Sequence, residues 1–172
     1  MKTITIPCDN SQLENLTAGE TVLLCGTVYT ARDQAHKKMH SLLCENKPLP
    51  FDIKNQCLYY VGPCPTPNNM AIGSAGPTSS YRMDKFTPTL LDLGLKCIIG
   101  KGDRSESVKN SLVKNKGVYF TAIGGAGALY ASKITSCELV AFPELISEAI
   151  YKLEITNFPV VVAIDSKGNS IY

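Results

Sequence analysis

The chain has 172 residues, 44% of them hydrophobic and 19% charged, which describes an ordinary globular protein with a single domain over residues 1–172. Its net charge is only +2 and its fourteen lysines are scattered, so the composition excludes a basic stripe for nucleic acid. Residues 1–7 contain no long apolar run, so we expect no secretory signal, no membrane span and a cytoplasmic location.

Predicted strands and helices alternate along the chain, which is typical of the α/β class. Alternating or continuous apolar runs predict strands at 3–6, 21–29 with a bend near Gly26, 57–61, 96–99, 118–123, 138–142 and 150–155. Helical spacing of apolar residues predicts helices over 35–44, 86–93 and 105–116, with a short helical turn at 143–147. The chain is expected to close with a hairpin over 160–172.

The seven cysteines include no CxxC pair, and their odd number is typical of reduced thiols rather than of a disulfide framework. The nearest pair, Cys57 and Cys64, is too widely spaced for an iron–sulfur or zinc site held by this chain alone, so we predict no metal ligands here. Most of these thiols should be buried. Cys64 is the exception, since it lies between two prolines in a stiff loop and is a candidate for lining a site.

Residues 73–84, GSAGPTSSYRMD, form the most informative stretch of the sequence. Its glycines allow the backbone to approach a ligand closely, and its hydroxyl side chains are suited to capping a helix that begins there. Unpaired N–H groups at a helix start attract anions, and Arg82 adds a planar fork of donors that matches a carboxylate. Thr78 and Arg82 are four residues apart and would share a helix face. The alternative is a glycine-rich turn before an ordinary capped helix.

Three further segments carry candidate site residues. Arg32 stands where the second strand passes into a helix, and His36, one turn later, is interpreted as a hydrogen-bonding or proton-carrying group. A metal site on His36 and His40 is disfavoured, because the glutamate of the HExxH motif is missing. Lys101 lies between two glycines after a strand, where ligands of α/β sheets bind, although it could equally be a solvated lysine in a flexible turn. Residues 124–129, GGAGAL, match only half of a dinucleotide fingerprint, so close backbone packing beside a ligand is the preferred interpretation.

Arg32, Arg82 and Lys101 together suit a small dicarboxylate, which carries two negative charges and needs several donors. Two of the three arginines in the chain, Arg32 and Arg82, lie where a strand or a turn passes into a helix, whereas the lysines already provide surface charge. No nucleophile–base pair or metal-ligand set accompanies these cations in the sequence. A binding half-site that another chain completes would account for this.

In these motifs the chain resembles the beta subunit, or C-terminal domain, of class I iron–sulfur fumarate hydratases and L-tartrate dehydratases. The resemblance covers nearly the whole chain in the right order. It rests on residues 30–36, 62–63, 73–84, 100–102 and 124–129 and on the closing segment 154–172.

The resemblance implies a swivelling β/β/α domain with a mixed central sheet, and a hydro-lyase that reversibly hydrates fumarate to malate. It also implies a 4Fe-4S cluster that is held by a partner alpha subunit and not by this chain, in a heterodimer or heterotetramer that binds neither membrane nor nucleic acid. Two alternatives remain open at this point. One is an L-tartrate dehydratase beta subunit, and the other is a non-catalytic dicarboxylate-binding domain.

Site residues are carried over motif by motif. Arg32, Arg82 and Lys101, with Gly76 and Thr78, would bind the substrate. Thr78 corresponds to the family's proposed proton-abstracting threonine, and Arg82 and His36 would act with it in catalysis. A threonine hydroxyl is a poor base by itself, so the role requires the field of Arg82 or a neighbouring carboxylate. Asp33 and His36 would support Arg32.

Overall fold

The computed structural model describes all 172 residues and builds them around one mixed sheet of seven strands in the order β1-β2-β3-β4-β5-β7-β6. The strands are β1 (Lys2–Ile6), β2 (Thr21–Thr30), β3 (Cys57–Tyr59), β4 (Cys97–Gly100), β5 (Val118–Thr121), β6 (Ile134–Ala141) and β7 (Ile150–Ile164). The α-helices are α1 (Asn10–Leu13), α2 (Asp33–Cys44), α3 (Thr87–Asp92), α4 (Glu106–Asn115) and α5 (Gly127–Ser132). Short 3₁₀ segments occupy Ser80–Met83 and Pro143–Glu148. The α/β class and the mixed sheet are confirmed.

Part of the sheet closes on itself, which the sequence did not predict. Strands β1 to β5 pair in parallel, and β7 pairs antiparallel with β5 and β6. Because the long β7 also pairs with β2, strands β2, β3, β4, β5 and β7 form a closed barrel of five strands. Closure leaves β1 and β6 as the only strands outside the ring.

Alternate residues of the central strands pack into two different cores, as the period-two geometry of a strand requires. Tyr59 and Ile99 belong to one cluster with Phe158, while Leu58 and Ile98 belong to the other. The second cluster receives buried side chains from three helices, namely Met39 of α2, Leu90 and Leu91 of α3, and Val108 and Leu112 of α4. These helices therefore cover one face of the parallel strands.

The C-terminal third differs from the sequence prediction in two places. The strand predicted at 150–155 and the first arm of the hairpin are one continuous strand, β7, and only a single bridge between Ile164 and Ser170 remains of the second arm. Residues 156–159, TNFP, lie between these two predictions, and Asn157 and Pro159 are residue types that disfavour a strand. In the fold, β2 keeps pairing on both sides of a register shift there, with Leu24 opposite Phe158 and Gly26 opposite Ile155. Strand β6 also begins at Ile134 rather than at 138.

None of the helices combines the length and the apolar character that crossing a bilayer demands.

The bend predicted near Gly26 is confirmed, and it gives a test of the fold. Gly26 has φ +104°, and a methyl group there would overlap the backbone carbonyl of Ile6 on β1. We expect Gly26→Ala to lower the free energy of unfolding by about 2–3 kcal/mol, from backbone strain plus steric overlap. The matched control is Gly19→Ala, because Gly19 has φ +91° but nothing closer than 3.9 Å to the added methyl group. Urea unfolding of both variants should show the smaller loss for Gly19→Ala, and equal losses would contradict the close approach of β1.

Candidate functional site

The predicted site residues lie on loops that leave the same edge of the sheet. Strands β2, β3 and β4 are neighbours and parallel, so their carboxyl ends face one way. Arg32 follows β2, the motif 73–84 follows β3, and Lys101 follows β4. The loops are joined directly, because Ser79 forms a parallel bridge with Lys101 and the Thr78 amide donates to the carbonyl of Tyr60 at 2.8 Å. The structure therefore brings the three predicted segments together.

Arg82, Thr78 and the Asp33 carboxylate form a connected group at this edge. Arg82 donates from Nη2 to Thr78 Oγ1 at 2.6 Å, and its Nε lies 3.2 Å from Asp33 Oδ1. The other oxygen of Asp33, Oδ2, is 4.0 Å from Nε of Arg32. Glu148 adds a second carboxylate 3.9 Å from the same Arg32 nitrogen. Asp33 thus orients Arg82 and lies close enough to offset part of the charge of both arginines, while Nε of Arg32 is buried without a hydrogen-bond partner.

The helix expected at the end of the motif is a single 3₁₀ turn, Ser80–Met83. Thr78 is half-buried and precedes this turn, so Thr78 and Arg82 do not share an α-helical face. They meet instead through the hydrogen bond from the Arg82 side chain to Thr78 Oγ1. A guanidinium donating to the hydroxyl oxygen stabilises negative charge that develops there when the hydroxyl gives up its proton. This is the field that the predicted role of Thr78 requires.

Glycines let the backbone approach these side chains. A methyl group on Gly62 would lie 2.7 Å from Arg32 Nη1, and one on Gly124 would lie 3.2 Å from Lys101 Cδ. Gly76 packs beside Gly127, with 3.6 Å between its virtual methyl group and the Gly127 Cα, and the Ala75 amide donates to the Gly127 carbonyl. The segment 124–127 therefore packs its backbone against the loops of the site, and its place beside a ligand stays a prediction.

Lys101 is the cation with no partner of its own. Its backbone is fixed, since its amide donates to the Ser80 hydroxyl oxygen at 3.0 Å and its carbonyl accepts a hydrogen bond from the Ser80 amide at 3.0 Å. Its side chain is exposed and makes no ion pair. The ammonium group is therefore available to an incoming anion, while the main chain that presents it is held in place.

His36 is buried, with 1% of its surface exposed, and it does not face the open edge. Its Nδ1 donates to the Arg32 carbonyl at 2.8 Å, and its ring packs on Tyr60 and Phe86. Burial lowers its pKa from 6.5 to about 4, with Arg104 adding to the effect, so the ring is neutral near pH 7. This geometry matches the predicted role of His36 in supporting Arg32. It does not match a proton-carrying role, because the His36 ring reaches no solvent-open surface.

The buried ring gives a pH prediction. A histidine whose pKa is lower in the folded than in the unfolded state binds a proton more readily when the chain is unfolded. The contribution of neutral His36 to the free energy of unfolding is therefore complete above pH 6.5 and is lost as the pH falls towards 4. We expect stability to fall by about 1.4 kcal/mol per pH unit in this window from His36 alone. Urea unfolding between these pH values should show that slope reduced in His36→Asn. The control His40→Asn, at an exposed position on the same helix, should leave it unchanged, and an unchanged slope in His36→Asn would contradict the assignment.

Arg104 is a positioning residue that the sequence did not single out. Its side chain is fully buried and pairs with Asp84, with 2.7 Å between Nε and Oδ1. It also donates to Thr87 Oγ1 at 2.8 Å and lies over the rings of Tyr60 and Tyr119. Asp84 is the residue that ends the 3₁₀ turn carrying Arg82, whereas Arg104 comes three residues after Lys101. The Asp84–Arg104 pair therefore connects the 3₁₀ turn that carries Arg82 to the loop that carries Lys101.

The assembled edge is an open surface rather than a closed pocket. A shallow cleft of about 530 Å³ lies on one side of it and is lined by Asp33, Tyr81, Arg82 and Lys85 among others. A narrower cleft of about 270 Å³ includes Pro63, Cys64, Ile146 and Tyr151. No cleft takes in Arg32 and Lys101 together. Cys64 thus lines a cleft beside the cationic edge and is not among the cations themselves.

The cysteines of this chain do not fit an iron–sulfur cluster. No three His, Cys, Asp or Glu side chains are grouped so that they could hold a metal ion. Cys8 and Cys97 are buried with their sulfur atoms 3.4 Å apart. Hydrogen bonding between these thiols and burial raise the pKa of Cys8, and a hydrogen bond with Cys57 together with burial raises that of Cys97. Cluster ligands are thiolates, whereas these two thiols stay protonated in the core. The expectation that most of the cysteines are buried is wrong, since only Cys8, Cys57 and Cys97 are buried.

Comparison with known proteins agrees with the geometry. Residues 2–172 match the family model described as Fumarase C-terminus. The chain is 39% identical to Fumarate hydratase 2 of Leishmania major and to the anaerobic class I fumarate hydratase of Escherichia coli K12, over 94% of its own length but only 29% and 30% of theirs. It is 37% identical to a putative L(+)-tartrate dehydratase subunit beta of Methanocaldococcus jannaschii, over 93% of this chain and 85% of that one. The chain therefore spans less than a third of the fumarate hydratases it matches and most of the tartrate dehydratase subunit.

Proposed function

This chain belongs to the Fumarase C-terminus family, and on that premise we propose that it is the beta part of an iron–sulfur-dependent hydro-lyase that reversibly hydrates fumarate to malate. The observation that carries the proposal is the pairing of Arg82 with Thr78 Oγ1 at 2.6 Å, on the same sheet edge as Arg32 and Lys101. Cations that hold carboxylates thereby stand beside a hydroxyl group suited to proton transfer. For the domain itself we propose the swivelling β/β/α class.

The substrate's two carboxylates are proposed to bind to Arg32, Arg82 and Lys101, with Gly76 allowing the backbone to come close. Charge-assisted hydrogen bonds of this kind contribute on the order of 1.5–3 kcal/mol each when they are sheltered. In this chain Asp33 already pairs with Arg82 at 3.2 Å, and Asp33 and Glu148 lie 4.0 and 3.9 Å from Nε of Arg32, so both arginines carry nearby negative charge. Binding a dicarboxylate therefore needs a cover that excludes water and strengthens these contacts, and a partner chain would supply it.

Thr78 is proposed to move the proton. In the dehydration direction a proton leaves carbon, a hydroxyl group leaves the neighbouring carbon, and a double bond forms between the two. A carboxylate of the partner chain would first remove the proton from the Thr78 hydroxyl group, and Arg82 would stabilise the resulting negative charge on Thr78 Oγ1. Thr78 Oγ1 would then take the carbon-bound proton of the substrate. His36 would act through Arg32, whose carbonyl it holds at 2.8 Å, as a positioning residue.

The family's 4Fe-4S cluster is proposed to reside in a partner alpha chain, because no three cysteines of this chain are grouped as cluster ligands and the buried thiols of Cys8 and Cys97 stay protonated. Bound there, the cluster would supply a Lewis-acidic iron for the leaving hydroxyl group. The assembly we propose is a heterodimer or heterotetramer of alpha and beta chains. In support, the putative tartrate dehydratase relative is itself named a subunit beta, and this chain covers 85% of it.

A second candidate substrate follows from that relative. Because the chain covers 85% of the L(+)-tartrate dehydratase subunit, we also propose tartrate as an alternative dicarboxylate. Tartrate and malate share the two carboxylates and differ by one hydroxyl group. The cationic edge would hold both.

Anaerobic reconstitution with a cluster-bearing alpha chain tests the proposal. The mixture should interconvert fumarate and malate or dehydrate L-tartrate, and the substrate with the highest kcat/KM identifies the enzyme. Lys101→Ala should reduce turnover of that substrate, whereas Lys114→Ala, which removes an exposed lysine 70% accessible on α4, should not. Dicarboxylate binding without turnover of any of the three would favour a non-catalytic binding domain instead.

A further inference from the structure

Tyr119 is a fully buried residue of β5, a strand that carries none of the predicted site residues. Strand β5 pairs in parallel with β4, the strand that leads to Lys101. The Tyr119 hydroxyl group donates to the carbonyl of Gly102, in the loop after β4, at 2.8 Å. It also donates towards Ser80 Oγ, in the 3₁₀ turn that carries Arg82, at 3.0 Å. One phenol therefore contacts both the loop of one cation and the turn of another.

Ser80 holds the backbone of Lys101 in both directions. Its hydroxyl oxygen accepts the Lys101 amide at 3.0 Å, in addition to the Tyr119 hydroxyl group, and its own amide donates to the Lys101 carbonyl at 3.0 Å. Ser80 is fully buried, so these bonds are sheltered from water. A methyl group on Gly100 would overlap Ser80 Oγ. The residue before Lys101 must therefore be a glycine if the Ser80 hydroxyl group is to occupy this place.

The Lys101 ammonium group depends on these bonds for its placement. The side chain is exposed and forms no ion pair that would fix its direction. The glycines on either side, Gly100 and Gly102, leave the local chain unusually free to change conformation. Hydrogen bonds from outside the loop are therefore needed to hold the main chain that presents the cation.

The phenol of Tyr119 stays a donor at any pH at which the protein works. Burial raises its pKa above the ordinary value of 10, and the contact with Ser80 and the charge of Arg104 offset only part of this rise. A phenol has one hydrogen, so the Gly102 carbonyl and Ser80 Oγ share it. Removing the hydroxyl group takes the donor from both acceptors at once.

We propose that Tyr119 and Ser80 are positioning residues of the hydro-lyase, which hold Lys101 against the turn of Arg82 so that both cations meet the substrate at a fixed spacing. The inference rests on the proposed function for the role of Lys101. Neither positioning residue touches the substrate, because both are fully buried. Cations that are already in place lose little conformational freedom on binding, whereas a mobile cation must be ordered by the substrate.

Kinetics of the reconstituted alpha–beta complex with malate test the proposal. Tyr119→Phe should raise KM about 10-fold with a smaller change in kcat, because Lys101 is proposed to bind a carboxylate and not to move a proton. In the Lys101→Ala background the same substitution should change kcat/KM less than about 2-fold, since the cation that it positions is gone. A wild-type KM for Tyr119→Phe, or an undiminished effect in the Lys101→Ala background, would overturn the proposal.

A pair of buried serines gives a second, matched test. Ser80→Ala should also raise KM for malate about 10-fold, since it removes the acceptor of the Lys101 amide. The control is Ser111→Ala, because Ser111 is a buried serine of α4 whose hydroxyl oxygen accepts a hydrogen bond from Asn115. Its KM should stay within about 2-fold of the wild type. Equal KM values for the two variants would count against a positioning role for Ser80.

Hydrogen exchange separates this inference from the proposed function. NMR of the full chain with isotope-labelled lysine follows the Lys101 amide, which donates to Ser80 Oγ. Ser80→Ala should speed exchange of this amide at least about 10-fold, while the Lys109 amide, bonded to the Ser105 carbonyl in α4, keeps its rate. If the complex turns over no dicarboxylate but this exchange is faster, the proposed activity is wrong and the anchoring of Lys101 stands. If the complex is active and the Lys101 amide exchanges at the wild-type rate, the anchoring is wrong and the activity stands.

Discussion

Arg82→Lys is expected to lower the fumarate hydration rate of the reconstituted enzyme about 10²–10³-fold, which is the usual effect of removing one well-placed donor from a catalytic site. Arg82 serves two acceptors at once, Thr78 Oγ1 at 2.6 Å and Asp33 Oδ1 at 3.2 Å. A lysine ammonium is a compact charge without the planar fork, so it cannot keep both contacts and also hold a substrate carboxylate. Steady-state kinetics should show the loss in kcat as well as in kcat/KM, because Thr78 loses the field that supports its charge.

Two controls accompany this variant. Its free energy of unfolding should stay within about 1 kcal/mol of the wild type, since the Arg82 side chain is exposed. Lys85→Ala removes a neighbouring exposed cation that makes no ion pair, and turnover should change far less. A rate for Arg82→Lys within threefold of wild type would contradict the role given to the guanidinium.

Asp84→Asn is expected to lower the free energy of unfolding by about 3–5 kcal/mol, because it leaves the Arg104 guanidinium buried without its counter-charge. The side chain of Arg104 is 0% exposed, and one of its nitrogens, Nη1, already has no hydrogen-bond partner. Asp84 also accepts the Ser105 amide at 2.6 Å, so the carboxylate connects two loops. Urea denaturation of the isolated chain measures the loss.

The matched control is an exposed ion pair. Lys116 and Glu14 lie 2.8 Å apart with side chains 57% and 45% exposed, so Glu14→Gln should cost less than about 1 kcal/mol. The double variant Asp84→Asn/Arg104→Met removes the stranded charge and should be more stable than Asp84→Asn alone. If Asp84→Asn is no more destabilising than Glu14→Gln, the buried pair does not lock the two loops.

The sequence predicts the convergence of Arg32 and Lys101 because both follow strands, and the carboxyl ends of neighbouring parallel strands share an edge. The glycines at 102, 124 and 125 can also be recognised as turn residues from the sequence, because turn formation depends on the local backbone preferences of neighbouring residues. The roles of the site residues in binding and catalysis are not tested by the fold and stay predictions.

What the sequence does not predict depends on contacts between distant segments. Pairing of β7 with β2 joins residues more than 120 positions apart and decides that the sheet closes. Asp33, the first residue of α2, contacts Arg82 of the motif 73–84, and the pair of Asp84 with Arg104 joins residues 20 positions apart. His36 shows the same limit, because its burial against Tyr60 and Phe86 lowers its pKa to about 4 and follows only from packing.

The most direct measurement is a structure of the assembled alpha–beta complex with malate bound. The account predicts that the ligand's two carboxylates contact Arg32, Arg82 and Lys101 of this chain, with Thr78 Oγ1 facing the CH2 carbon of malate, which loses the proton on dehydration. Malate bound away from these cations, or a complex in which the three side chains point to solvent, would contradict the claim that this edge is one half of the hydro-lyase site.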